Sequence, residues 1–286
     1  IQGVRLLPLG KLGRWDLLAF GLRLTRLLRK LKPDVLYSLL PEANLTGLIA
    51  GRLARVPRIV WGLRASNMDV KRYHWTFGAA LQICGWLSSF PDAIISNSAA
   101  AIKFHRTIGF KTNKITVISN GIDTKRFTHD DEAGYKVRRE WGVLDDEILI
   151  GNVARLDPMK DHSTFLQAAR IILDYSKDVR FVCIGDAQES YKCKMVDLGN
   201  RLGLNEHLIW NEARKDMSAV YNALDIVTSS SAYGEGFPNV IGEAMACGVP
   251  CVVTDVGDSA RIVGSVGLTV PPENPRALAD GWRSML

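Results

Sequence analysis

Glu235 and Glu243 stand eight positions apart within SSSAYGEGFPNVIGEAMACGVPCVVTD, residues 229–255. Between them a glycine-flanked loop runs into a helix start. Pro238 suits a first helical turn, where its missing N–H costs nothing. Gly248 suits the stop, ahead of a strand opened by Val249-Pro250. The pattern predicts a helix over Pro238–Cys247, with the amides of Asn239, Val240 and Ile241 free at its first turn. Such an end attracts phosphate through its donors and a partial positive charge of about half a unit. Glu243 lies one turn beyond Asn239 on the same face. An anion site flanked by two carboxylates suits a phosphorylated sugar, the amides holding phosphate and the carboxylates accepting from hydroxyls.

A second set follows the apolar run 148–153, which leads into ARLDPMKDH at 154–162. Arg155 and Lys160 thereby sit at the carboxyl end of a strand, where an α/β sheet places its ligand. Two cations there could clamp a diphosphate. Solvated loop cations are the plainer reading, and the anion-seeking helix start elsewhere in the same sheet tips the balance. Asp157, Asp161 and His162 resemble a metal cluster only superficially. Asp161 reads as the N-cap of the next helix, and no second acidic cluster lies nearby, so no metal site is expected.

These residues need a scaffold of parallel sheets. Continuous apolar strands alternate with helical patterns, which means sheets covered on both faces. Strands are expected near 4–7, 35–38, 58–61, 93–96 and 114–118. A second series falls near 148–153, 180–184, 207–210, 225–228, 250–254 and 267–270. Helices are expected near 16–31, 41–54, 74–89, 98–108, 163–175, 189–202, 215–223 and 238–247. Asn120-Gly121 is a turn and Thr128–Gly134 a polar, acid-rich linker. The chain therefore divides into two doubly wound α/β units, 1–128 and 129–286, facing a cleft.

Charge supports the division. Residues 1–128 carry 20 Lys+Arg against 6 Asp+Glu, whereas 129–286 carry 16 against 24, an asymmetry expected of domains with different partners. The helix near 16–31 places Leu17, Leu18, Leu24, Leu27, Leu28 and Leu31 on one side, with Arg23, Arg26, Arg29, Lys30 and Lys32 elsewhere. A solvated face and contact with anionic lipid both fit that pattern. Nucleic acid is disfavoured, since no aromatic platform accompanies the charge. Arg64, Asn67, Asp69, Lys71, Arg72 and His74 cluster after the strand ending at Trp61 and read equally as acceptor-binding or as solvated loop. None of the five cysteines forms a C-x-x-C pair, so they read as reduced thiols of a cytosolic protein. No apolar run reaches the ~18 residues of a membrane span. No G-x-G-x-x-G fingerprint or P-loop is present, which disfavours a nicotinamide enzyme or P-loop nucleotidase. The chain opens at Ile1 and stops at Leu286 inside a helix-like pattern, and reads as a piece of a longer protein.

With these residues in view, the chain resembles family 4 of the retaining, nucleotide-sugar-dependent glycosyltransferases of GT-B fold. It looks most like the bacterial members that build capsular, O-antigen or exopolysaccharides. The matching stretches are SNGIDTKRF (119–127), GNVARLDPMKDH (151–162), VCIGD (182–186), YGEGFPNVIGEAMACGVPCVVTDVGD (233–258) and VPPENPRALA (270–279). The resemblance implies that Arg155 and Lys160 neutralise the departing diphosphate of a UDP- or GDP-linked sugar. It further implies that Glu243 accepts from ribose hydroxyls and that Glu235 holds hydroxyls of the transferred sugar. The amides after Gly236, over Phe237, Pro238, Asn239 and Val240, would bind sugar and phosphate. No metal or other cofactor is implied. The acceptor would be a glycan or a lipid-linked sugar, and the setting the cytoplasm, at the inner face of the membrane. Trp61-Gly62-Leu63-Arg64 stands where many members carry a His, and Gly185-Asp186-Ala187 replaces a frequent Gly-x-Gly.

Two other functions are compatible with the same residues. One is a sugar-nucleotide epimerase of GT-B fold, which would not require an acceptor to release free nucleotide. The other is a non-catalytic membrane-surface protein, which would bind lipid and no nucleotide. As a piece, the chain is expected to be inactive by itself.

Overall fold

The computed structural model describes residues 4–11, 13, 16–66, 68, 69, 72 and 74–286, apart from the side chain of Leu17. Two compact units emerge: 1–64 with 69–118, and 65–68 with 119–286.

The first unit holds a four-stranded parallel sheet in the order β1-β2-β3-β4. Its elements are α1 (Leu17–Leu31), β1 (Val35–Leu39), α2 (Pro41–Ala54), β2 (Arg58–Leu63), α3 (Trp75–Leu87), β3 (Ala93–Ser96), α4 (Ala100–Thr107) and β4 (Ile115–Val117). Ile59, Trp61 and Leu63 alternate along β2 onto one face and form a core with Leu48, Leu81, Cys84, Ile94 and Phe110.

Two expectations fail in this unit. Residues 4–10 form no strand, and Val4, Leu6 and Leu7 are exposed. An apolar run becomes a strand only with a ladder partner and a buried face, and among the described residues β1 pairs only with β2. On α1, Leu18 and Leu31 are exposed while Leu28 is buried beside Leu24. The helix thus buries a narrower stripe than its leucines suggest.

The second unit runs α5 (Asp131–Glu140), β5 (Ile148–Val153), α6 (His162–Ile172), β6 (Val179–Ile184), α7 (Glu189–Arg201), β7 (Leu208–Asn211), α8 (Met217–Asn222) and β8 (Ile226–Ser229). It continues with α9 (Asn239–Ala246), β9 (Cys251–Thr254), α10 (Ser259–Val263), β10 (Leu268–Val270) and α11 (Pro275–Arg283). Its six parallel strands lie in the order β10-β9-β8-β5-β6-β7. Chain order therefore reverses between β5 and β8, the position at which doubly wound sheets bind ligands beyond the strand ends. Side chains of β5 alternate between the two layers: Ile150 packs with Phe165, Phe181 and Trp282, while Leu149 and Val153 pack with Val182, Tyr221 and Ile241.

The expected strands of this unit lie within two residues of the observed ones, because each is built on a short, predominantly apolar run. The acid-rich linker is a helix instead. Asp130 caps α5 by accepting from Ala133 N at 3.0 Å, and Asp131 and Glu132 occupy the first turn, where acidic residues suit the helix dipole. At the carboxyl end α11 covers Pro275–Arg283, and Trp282 is buried, donating to Thr228 Oγ1 at 2.8 Å. The units part at 118/119 rather than 128/129. Phe127 is buried against Tyr221, so 119–128 packs as part of the second unit.

Candidate active site

Loops after β5 and β8 are stitched together at the sheet's switch point. Asn152 Nδ2 donates to Ser230 Oγ at 2.9 Å, and Ser230 Oγ donates to the carbonyl of Lys160 at 2.8 Å. Ala232 N donates to the carbonyl of Met159 at 2.9 Å. Within the first loop Asp157 accepts from Met159 N at 2.8 Å. Asp161 takes a left-handed conformation, φ 46°, which a short polar side chain tolerates. It then caps α6 as expected, accepting from Thr164 N at 3.1 Å and Thr164 Oγ1 at 2.6 Å. Gly185, at the end of β6, lets this loop pass overhead, since a Cβ there would stand 2.2 Å from the carbonyl oxygen of Ala154.

The turn brings Lys160 to Glu235. Lys160 Nζ donates to Glu235 Oε1 as a hydrogen-bonded ion pair, and Ser231 Oγ donates to the same oxygen at 2.6 Å. The backbone around Glu235 is equally fixed. Its carbonyl accepts from Ser66 N at 2.9 Å and from the Ser66 hydroxyl; Ser66 lies in the 65–68 segment of this same unit. Asp258 N donates to the Gly236 carbonyl at 2.9 Å.

Helix α9 follows at once. Pro238 is its N-cap rather than its first helical residue, and having no N–H it leaves three amides, not four, over 237–240. Among the described residues the amides of Phe237, Asn239 and Val240 donate to nothing. Ile241 N, expected free, donates to the Pro238 carbonyl at 3.3 Å, because the first turn tightens. Asn120 Nδ2 donates to Asn239 Oδ1 at 2.8 Å. Glycine at 242 admits Ile122, which a Cβ would approach to 2.8 Å. Glu243 is half-buried and accepts from the Tyr221 hydroxyl at 2.7 Å. Burial and then the charge of Glu243 raise the pKa of Tyr221, so the hydroxyl stays a donor.

Two other candidates of this unit, Arg155 and His162, make no hydrogen bond to Lys160, Glu235 or Glu243 among the described residues. Arg155 is exposed, and its ion pair is with Asp157 at 3.7 Å. His162 is fully buried, and neither ring nitrogen has a partner among the described residues. Burial and the charge of Lys160 lower its pKa to about 4, leaving a neutral imidazole. Among the described residues no group of three His, Cys, Asp or Glu is placed to hold a metal. In the first unit Arg64 is exposed beyond β2, Arg72 pairs with Asp69 at 2.9 Å, and His74 caps α3 by accepting from Thr76 N at 3.3 Å. Asn67 and Lys71 lie outside the described residues. Tyr221, Ser231 and Ser66 escape sequence reasoning. Tyr221 hides in an apolar helix pattern and Ser231 in a serine run, and only Ser231's place four residues before Glu235 hints at its role.

The pattern of group 1 glycosyl transferases matches residues 147–286, and that of glycosyltransferase family 4 matches residues 1–126. The chain belongs to the group 1, family 4 glycosyltransferases. Its GT-B architecture, two Rossmann-like units with parallel sheets, agrees with solved glycosyltransferases. HepE of Anabaena in complex with UDP-glucose superposes with TM-score 0.83 at 25% identity, over 97% of this chain and 74% of that one. The UDP-Gal:alpha-D-GlcNAc-diphosphoundecaprenol alpha-1,3-galactosyltransferase of Escherichia coli is 26% identical over 84% of this chain and 62% of its own length. The capsular polysaccharide biosynthesis glycosyltransferase CapM of Staphylococcus aureus is 26% identical over 91% and 69%. The chain spans about half to two thirds of the curated relatives it matches. Among the described residues no helix of this family member is long and apolar enough to cross a membrane.

Proposed function

We propose that the protein transfers a sugar from a nucleoside-diphosphate sugar to a glycan or lipid-linked acceptor, with retention at the anomeric carbon. The observation that carries this reading is the Lys160–Glu235 pair, held at the switch point of the second sheet and immediately before the amide-bearing start of α9. The diphosphate lies against the free amides of Asn239 and Val240, with Lys160 and Arg155 supplying positive charge. Glu243 accepts from the ribose and Glu235 from the transferred sugar. The C1–O bond breaks with its electron pair passing to the diphosphate. The acceptor oxygen attacks C1 from the same face, and its proton passes to the leaving phosphate oxygen. Fixed donors aimed at that developing charge are worth ~2.7–4 kcal/mol each. The cations and helix start do this work without a metal in the proposed reaction.

On α1, exposed Leu18, Leu22 and Leu31 lie among exposed Arg26, Arg29, Lys30 and Lys32. This supports contact with an anionic membrane surface carrying a lipid-linked acceptor, on the cytoplasmic side.

Incubating the complete protein with UDP-, GDP- and ADP-sugars, with and without acceptor lipid extract, tests the reading. Nucleotide release that requires acceptor supports transfer; release without it points to an epimerase, and no nucleotide binding at all sinks the enzyme reading.

A further inference from the structure

Each glutamate of the pair is tethered through one oxygen by a buried hydroxyl. Tyr221 donates to Glu243 Oε2 at 2.7 Å, and Ser231 donates to Glu235 Oε1 at 2.6 Å. Tyr221 is fully buried and Ser231 nearly so, and neither hydroxyl donates elsewhere among the described residues. Both therefore spend their single proton on a carboxylate. Glu235 Oε2 and Glu243 Oε1 accept no hydrogen bond among the described residues. A carboxylate anchored through one oxygen has its side-chain torsions set, and it presents the second oxygen in a defined direction.

We infer that Tyr221 and Ser231 are positioning residues that divide the donor between them. Tyr221 aims Glu243 at the nucleoside end and Ser231 aims Glu235 at the sugar end. This rests on the donor site proposed above. The two tethers differ in stiffness. Tyr221 belongs to α8 and is clamped in the apolar layer with Phe127, Leu149 and Ile241. Ser231 follows β8, and its own carbonyl accepts from Thr254 Oγ1 at 2.7 Å. Glu243 is consequently held from a neighbouring helix and Glu235 from its own loop. Lys160 supplies a second bond to the Glu235 oxygen that Ser231 already holds, leaving Glu243 the one that depends on a single tether.

Titration calorimetry on the complete protein tests this with UDP, GDP and ADP, then with the 2′-deoxy and 3′-deoxy forms of whichever binds. Tyr221→Phe is expected to weaken nucleotide binding about three- to tenfold and to abolish most of the wild-type preference for an intact ribose. The KM for the donor rises in proportion while kcat stays within about twofold, the signature of lost ground-state binding. In a Glu243→Ala background the same change adds nothing further, since a positioning residue acts only through its target. Ser231→Ala provides the counterpart, with nucleotide affinity kept and the added affinity of the nucleotide sugar over the bare nucleotide lost. Unchanged ribose preference in Tyr221→Phe, or additive effects in the double variant, overturns the inference while leaving the donor site standing. A wild-type protein that binds none of the three nucleotides overturns both.

Discussion

Lys160 and Glu235, 75 residues apart in the chain, form an ion pair whose side chains are only 17% and 8% exposed. Neither charge has much water to fall back on. Removing one partner of such a pair leaves the other stranded and costs about 3–5 kcal/mol, although Ser231 offsets part of this for Glu235. Lys160→Ala is therefore expected to lower both stability in urea and turnover, the latter at least tenfold, and Glu243→Ala to raise the donor KM so that turnover at subsaturating donor falls at least tenfold. The double variant Lys160→Met/Glu235→Gln should be more stable than Lys160→Ala while remaining inactive. Equal stability of the two would show that the pair is not a coupled unit.

Trp282 closes the second sheet. It lies against Phe165 and Phe181, with ring centroids 5.3 and 5.7 Å away, and its indole satisfies the fully buried Thr228 hydroxyl. Trp282→Ala should cost about 3–5 kcal/mol in chemical denaturation. Trp282→Phe should restore the packing and still lose about 1–3 kcal/mol from the orphaned hydroxyl.

His162 makes stability depend on pH. Its folded pKa, lowered from 6.5 to about 4 by burial and by Lys160 with Asp157 opposing, lies below the unfolded value. The unfolded chain therefore binds more protons between these limits. Stability is complete above about pH 6.5 and falls as the pH drops toward 4, by at most about 3 kcal/mol. Buried His105, whose pKa is lowered by desolvation, acts in the same direction. Urea titrations at pH 7 and pH 5 should show a smaller gap for His162→Phe than for wild type.

Cys193 is exposed, whereas Cys84, Cys183, Cys247 and Cys251 are buried. Burial pushes the thiols of Cys84 and Cys251 up to about 12. Ellman's reagent should therefore label one thiol of the folded protein quickly and the remaining four only after denaturation. Rapid labelling that survives Cys193→Ser would contradict this burial pattern.

Gly185→Ala places a methyl against the Ala154 carbonyl. The β5 loop carrying Arg155 and Lys160 must then shift, with an expected loss of about 1–3 kcal/mol and a raised KM for the donor. Gly142→Ala, where a Cβ meets nothing within 4 Å, controls for strain at positive φ.

What was legible in the sequence follows from the physics of each element. Parallel strands such as β5 and β9 are predominantly apolar runs, and the start of α9 carries its own punctuation in Gly236 and Pro238. Asp161 announces itself as a cap. By contrast α5 has few apolar residues, and its acids looked like linker because charge at a helix start and charge in a loop read alike. Val4–Leu7 has strand composition, but pairing is a property of neighbours, not of composition. The tether from Tyr221 to Glu243 joins positions 22 apart in sequence, and no spacing rule reaches across two helices.

The strand order has a consequence for how the molecule is made. β5 acquires β6 soon after it leaves the ribosome, but its other neighbour, β8, begins only at Ile226. Until then β5 is an open edge with unpaired backbone groups, a template for unwanted pairing. Lys160 emerges long before Glu235 can neutralise it, so the chemistry of this unit comes into being late. A nascent chain halted before β8 should be cleaved by protease within β5–β7, and one released after α11 should resist.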